Sequence, residues 1–217
     1  MEETILIAGS GVLHSHLIQA CLSRNCRVIS TAYSDEFQES GNGETAAGKG
    51  QSAVLSWNPG SSLSPRNILS RCDREAGPLD SAYLVFPSGR TTEAFHETSS
   101  AAVQKILDYR VKSYLFFLKE LITYFMARKR GTQNAVLYSE EGEILSPLIA
   151  GTYEMFRALI RSCFSAYERE PFRLRGFESR STDLENYGEF ILQHSLDSDK
   201  KENQFFQYPR KKGFLNR

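Results

Sequence analysis

The chain has no excess charge of either sign: Lys+Arg and Asp+Glu each number 26 in 217 residues. That balance removes any global electrostatic pull toward nucleic acid or an anionic membrane. No apolar run approaches the roughly 20 residues that span a bilayer. The first residues carry Glu2 and Glu3 where a signal peptide would be positive, so the expected location is cytoplasmic. Cysteine is scarce. Cys21, Cys26, Cys72 and Cys163 form no Cys-x-x-Cys pair, and no histidine stands at zinc-finger spacing from them. They read as reduced, buried small hydrophobes. His14 and His16 form a His-x-His pair, but on a helix two such residues point about 200° apart and do not share a metal. No metal site is expected, and no internal repeat is visible.

What is present begins at once. Thr4-Ile5-Leu6-Ile7-Ala8 is a short apolar run rich in β-branched residues, the pattern of a buried parallel strand. Gly9-Ser10-Gly11 follows as a tight turn. Val12 to Leu22 then carries Val12, Leu13, Leu17, Ile18 and Cys21 at helical spacing. Strand, glycine turn and helix in that order open a dinucleotide-binding βαβ unit.

Further strands are expected at 27–31, 52–57, 81–86, 134–138, 172–177 and 204–208. Helices are expected at 65–75, 99–130, 152–168 and 184–193. Residues 34–52 are polar and glycine-rich, and a mobile loop is expected near 38–51. Arg210-Lys211-Lys212 belongs to a short tail near 209–217 that reads as a solvated terminus. Alternating strands and helices predict an α/β fold: one Rossmann-like, doubly wound parallel sheet of about seven strands, covered on both faces, in a single domain over 1–217.

The order of these signals resembles the short-chain dehydrogenase/reductase family over nearly the whole chain. The features that carry the resemblance are the Ala8-Gly9 turn, Gly77-Pro78-Leu79-Asp80 before the fourth strand, Ser139 after the fifth, and Tyr153 at the head of the next helix. The resemblance implies hydride transfer between NAD or NADP and a small carbonyl or alcohol. In it, Ser139 and Tyr153 hold the substrate oxygen and Tyr153 moves the proton. Arg157 stands where the family has a lysine that grips the nicotinamide ribose and lowers the tyrosine pKa. An unperturbed tyrosine titrates near pH 10, so such a cation matters. An arginine there is bulkier and planar. The implied cofactor contacts are Gly9, Ser10, Gly11, Leu13, Tyr33, Asn58 and Arg157.

Several family positions differ. Only the first of three turn glycines, Gly9, stands in place, with Leu13 and Ser15 at the other two. Side chains there are expected to narrow the pyrophosphate groove. Ala32 and Tyr33 stand where an Asp or Arg would read the ribose, and Asn58 stands for the Asp that touches adenine. Phe86-Pro87-Ser88-Gly89 replaces Asn-Asn-Ala-Gly, and the catalytic Asn falls near Val111 or Lys112, with Lys112 read as a solvated lysine. The lid after the sixth strand is short. The expected function is therefore a short-chain dehydrogenase/reductase-like protein with a degenerate site, acting as a binding or assembly module; the alternative is an NAD(P)-dependent oxidoreductase using Tyr153. The helices at 99–130 and 152–168 carry surplus aromatics (Tyr109, Phe116, Tyr124, Phe156, Phe164 and Tyr167), so a homodimer or homotetramer through them is expected.

Overall fold

The computed structural model describes residues 3–33, 52–87, 89, 94–139, 146–196 and 203–209. The expected loop near 38–51, and the tail from residue 210 on, lie outside the described residues. Seven strands form one sheet: β1 (Thr4–Gly9), β2 (Arg27–Tyr33), β3 (Ser52–Trp57), β4 (Ser81–Val85), β5 (Thr132–Tyr138), β6 (Arg173–Ser179) and β7 (Gln204–Gln207). Their order is β3-β2-β1-β4-β5-β6-β7 and every pairing is parallel. The order reverses between β1 and β4, the switch point where the carboxyl ends of the strands open a crevice in such sheets.

Helices cover both faces. α1 (Val12–Leu22) and α6 (Leu184–Leu196) lie on one side, where Leu13, Leu17, Ile191 and Leu192 pack on Ile5, Ile7, Val85 and Phe177. α2 (Ser64–Glu75), α4 (Ser113–Arg128) and α5 (Pro147–Ala166) lie on the other, over Leu6, Leu84, Ala135 and Leu137. β1, β2, β4, β5, β6 and β7 each supply both clusters by alternation, whereas β3 supplies only the second through Leu55 and Trp57.

Among the boundaries that differ from the sequence reading, three bear on the site. β2 continues two residues to Tyr33, which pairs with Trp57 at the end of β3. β6 runs on to Ser179 and so takes Glu178 into the sheet. α5 begins at Pro147, with the Ser146 hydroxyl accepting from the Ile149 amide, so Tyr153 lies well inside the helix and not at its head. The single long helix is also broken into α3 (Ser100–Leu107), a π-helical turn over Asp108–Lys112, and α4. The wider turn directs Arg110 inward, where it is buried against the Phe86 ring and donates to the Pro87 carbonyl and the Thr152 hydroxyl.

One row across the sheet is polar although buried. Tyr83, Asn134 and Arg175 stand side by side on β4, β5 and β6, facing α6. Tyr83 bonds the Ser195 hydroxyl, and Arg175 donates to the carbonyls of His194 and Ser195 in the last turn of α6. The Asn134 amide is fully buried and has no hydrogen-bond partner among the described residues.

Candidate functional site

The crevice at the switch point starts with Gly9. Its φ is +148°, and a Cβ there would lie 2.5 Å from the Val85 carbonyl oxygen. Glycine at this position is therefore required by the close approach of β1 to β4, with or without a bound phosphate. Gly11 has φ +91° and open space around it. It caps α1 without a side-chain bond. Ser10 is half-buried in the same turn.

The two missing glycines have different consequences from the ones expected. Leu13 is buried among Ile5, Ile7 and Leu17 and does not narrow the groove, because the first turn of α1 directs it into the core. Ser15 is exposed, and its hydroxyl lies near the Gly11 carbonyl. The helix thus accommodates both side chains, one in the core and one in solvent.

At the other end of the crevice, Tyr33 turns away from solvent. Its ring stacks on Trp57 at 5.0 Å and tilts against Tyr109 at 4.5 Å. Its hydroxyl meets that of Tyr114 at 2.9 Å, and Tyr114 donates on to the Val85 carbonyl. Burial above all, then the neighbouring phenols, push the Tyr33 hydroxyl far above its ordinary titration range. Asn58 is exposed, with its side-chain oxygen taken by the Gly60 amide of its own turn. Lys112 is exposed and ion-paired to Asp108.

The candidate catalytic residues meet on a residue that sequence reasoning missed. Tyr153 is 5% exposed and donates its hydroxyl to Glu178 Oε1 at 3.0 Å. Arg157, one turn further along α5, donates from Nε to Glu178 Oε2 at 3.0 Å, and its Nη1 lies 3.5 Å from Glu154. Gln207 donates to the same Oε2 at 2.7 Å. Glu178 itself is 3% exposed. Ser139 is half-buried one position past β5, its amide bonded to the Ser179 carbonyl; Tyr153 and Arg157 are thus brought together, and Ser139 stands beside the next strand's end.

The electrostatics follow from this packing. Burial raises the Tyr153 pKa, and the Glu178 charge and hydrogen bond raise it further, outweighing the opposite pull of Arg157 and Arg180. Burial also opposes the Glu178 charge, but the donors Gln207, Arg157 and Tyr153 more than compensate and hold its carboxyl below the usual range. The site is a closed set of donors around one carboxylate. The only signal in the sequence for Glu178 is that an acidic residue follows an apolar strand pattern; its three partners come from segments far apart in the chain.

No family model and no curated protein matches the sequence. Solved structures match over nearly the full length. A short-chain dehydrogenase from Streptomyces avermitilis is 14% identical, with a TM-score of 0.74 over 96% of this chain and 89% of the other. A metagenomic short-chain oxidoreductase in complex with NADP is 14% identical, with a TM-score of 0.75 over 96% and 98%. ElxO with NADP bound is 11% identical, with a TM-score of 0.77 over 95% and 97%. Among the described residues no helix is long and apolar enough to cross a membrane.

Proposed function

We propose that this chain, which has the fold of the short-chain dehydrogenase/reductases, is a binding or assembly module whose dehydrogenase site is closed by Glu178. The hydrogen bond from Tyr153 to that carboxylate carries the reading. Tyrosine-based proton transfer needs a phenol whose pKa is drawn down toward neutrality by an adjacent cation. Here the cation is neutralised by the carboxylate, and the same carboxylate holds the phenolic proton. Turnover of small carbonyls with NADH or NADPH tests this. None above background is expected, and Tyr153→Phe should change nothing; turnover that Tyr153→Phe abolishes overturns it.

The residues do not fit a tightly held dinucleotide. Arg157 is committed to Glu178, Tyr33 to the aromatic core, and the Asn58 side-chain oxygen to its own turn. The alternative, an NAD(P)-dependent oxidoreductase of a small carbonyl or alcohol, draws on the neighbours that hold NADP and on the open space beside Gly11.

Self-association is part of the proposal, as a homodimer or homotetramer through α4 and α5. Leu115 is 38% exposed and Met155 46%, and with Val111, Phe156 and Leu159 they line a largely apolar cavity of about 240 Å³ between the two helices. The surface it draws on is smaller than the sequence suggests. Tyr109 packs on Tyr33, Tyr124 donates to Asp73 and accepts from the Leu79 amide, and Phe156 and Phe164 are buried. The balanced charge supports neither a nucleic-acid nor a membrane partner, and a cytoplasmic place fits the same composition.

A further inference from the structure

Glu178 has a third side-chain partner, and it comes from the last strand of the sheet. Gln207 lies opposite it on β7, and the Tyr208 amide donates to the Glu178 carbonyl at 2.9 Å. β7 has four residues, none of them fully buried, so its hold depends on how its side chains dock. Phe205 enters the space left by Gly176, the residue paired with it. Its ring meets Phe164 edge-on at 5.3 Å, and the Arg157 and Arg161 guanidiniums lie 5.9 and 5.8 Å from its centre. On the opposite face of the strand Phe206 stacks on Phe177 at 5.4 Å.

We propose that β7 is a latch on the Tyr153 site, with Gln207 as the positioning residue that fixes Glu178 on Tyr153 and Arg157; this rests on the reading of the site as closed. Phe205 sets the strand in the Gly176 gap. Gln207 then presents its amide to Oε2, which Arg157 shares, and Oε1 is left to Tyr153. Arg157 joins the two layers of the latch, since it touches both the Phe205 ring and the carboxylate. The ionisable groups around Glu178 are Tyr153 and Arg157 on α5, Tyr187 on α6, and Arg180 beyond the end of β6. Gln207 is neutral, so replacing it alters the clamp without altering the charge.

The full chain carrying Gln207→Leu or Phe205→Ala tests the latch. Carbon-13 NMR of the glutamate carboxyls follows the Glu178 titration, with Glu120 on α4 as an internal reference. Nitration by tetranitromethane, read by mass spectrometry, follows access to Tyr153, with buried Tyr114, which has no contact with β7, as the reference. Both variants should move the Glu178 titration up toward the ordinary carboxylate range and raise Tyr153 nitration severalfold, with Glu120 and Tyr114 unchanged. Phe205→Ala removes no donor to Glu178, so its effect separates a latch from a local hydrogen bond. The proposal is overturned if Gln207→Leu acts and Phe205→Ala does not, if neither acts, or if the reference residues move equally. Tyr153-dependent carbonyl turnover by the unaltered chain would sink the closed-site reading while these shifts still reported on the latch.

Discussion

Phe205 fills the volume that any side chain at position 176 would need: a Cβ on Gly176 would lie 2.4 Å from its ring. A glycine inside a strand usually weakens it, and here the loss is offset by a neighbouring strand that inserts an aromatic ring. Gly176→Ala should therefore overpack the β6–β7 contact and cost about 1–3 kcal/mol. Urea unfolding measures the cost. Adding Phe205→Leu should recover part of it, because the smaller side chain yields the space.

Acid should weaken the fold through Glu178. Its folded-state pKa lies below the ordinary value of 4.5. A depressed carboxylate contributes stability that is fully present above the unfolded-state value and is lost as pH falls through the folded-state value. The melting temperature should drop below about pH 4.5, and Glu178→Gln should make that drop shallower. An acid limb as steep in Glu178→Gln as in the unaltered chain would assign the loss to other carboxylates.

Cofactor affinity should be weak. A ligand at 100 times its dissociation constant adds about 2.7 kcal/mol of stability. NADH and NADPH at millimolar concentration should leave the thermal midpoint unchanged within error, and a clear rise would contradict the reading. Leu13→Gly should not improve binding. It removes a buried side chain from the α1 core and should cost about 3 kcal/mol or more by cavity formation.

Assembly should depend on the apolar strip between α4 and α5. Sizing-column light scattering of the unaltered chain at tens of micromolar should show a dimer or tetramer. Met155→Glu or Leu115→Glu should reduce it to the 24.5 kDa monomer, because each puts an unpaired charge in the contact. Phe164→Glu is a poor test of the same idea, since Phe164 is buried against Phe205 and the substitution would strike the core.

The layers, the parallel sheet and most helix boundaries follow from periodicity, because burial on both sheet faces leaves a short apolar run in strands such as β1 and β4. Ser146-Pro147 carried a legible helix start, a capping hydroxyl before a proline with pre-set φ, yet the periodic signal placed the start of α5 at Thr152. The π-helical turn had no such mark: one extra residue in a turn shifts the apolar face too little to see, and only the buried Arg110 exposes it. Glu178 was invisible for a different reason. Its role is made by Tyr153, Arg157 and Gln207, and no local pattern relates those positions. Tyr33 could be placed at a strand end but not oriented, since the direction of a terminal side chain depends on what its neighbours leave open.

The buried trio Tyr83, Asn134 and Arg175 has a consequence for how the chain finds its sheet. Valine- and isoleucine-rich parallel strands can pair in several frames with similar burial. A displacement of β6 by one residue would turn Arg175 to the opposite face, among Leu84, Ala135 and Leu137, and strand its cation away from the α6 carbonyls. A misframed sheet would therefore forfeit the bonds of this row, whereas the native frame keeps them and carries only the buried Asn134 amide as a cost.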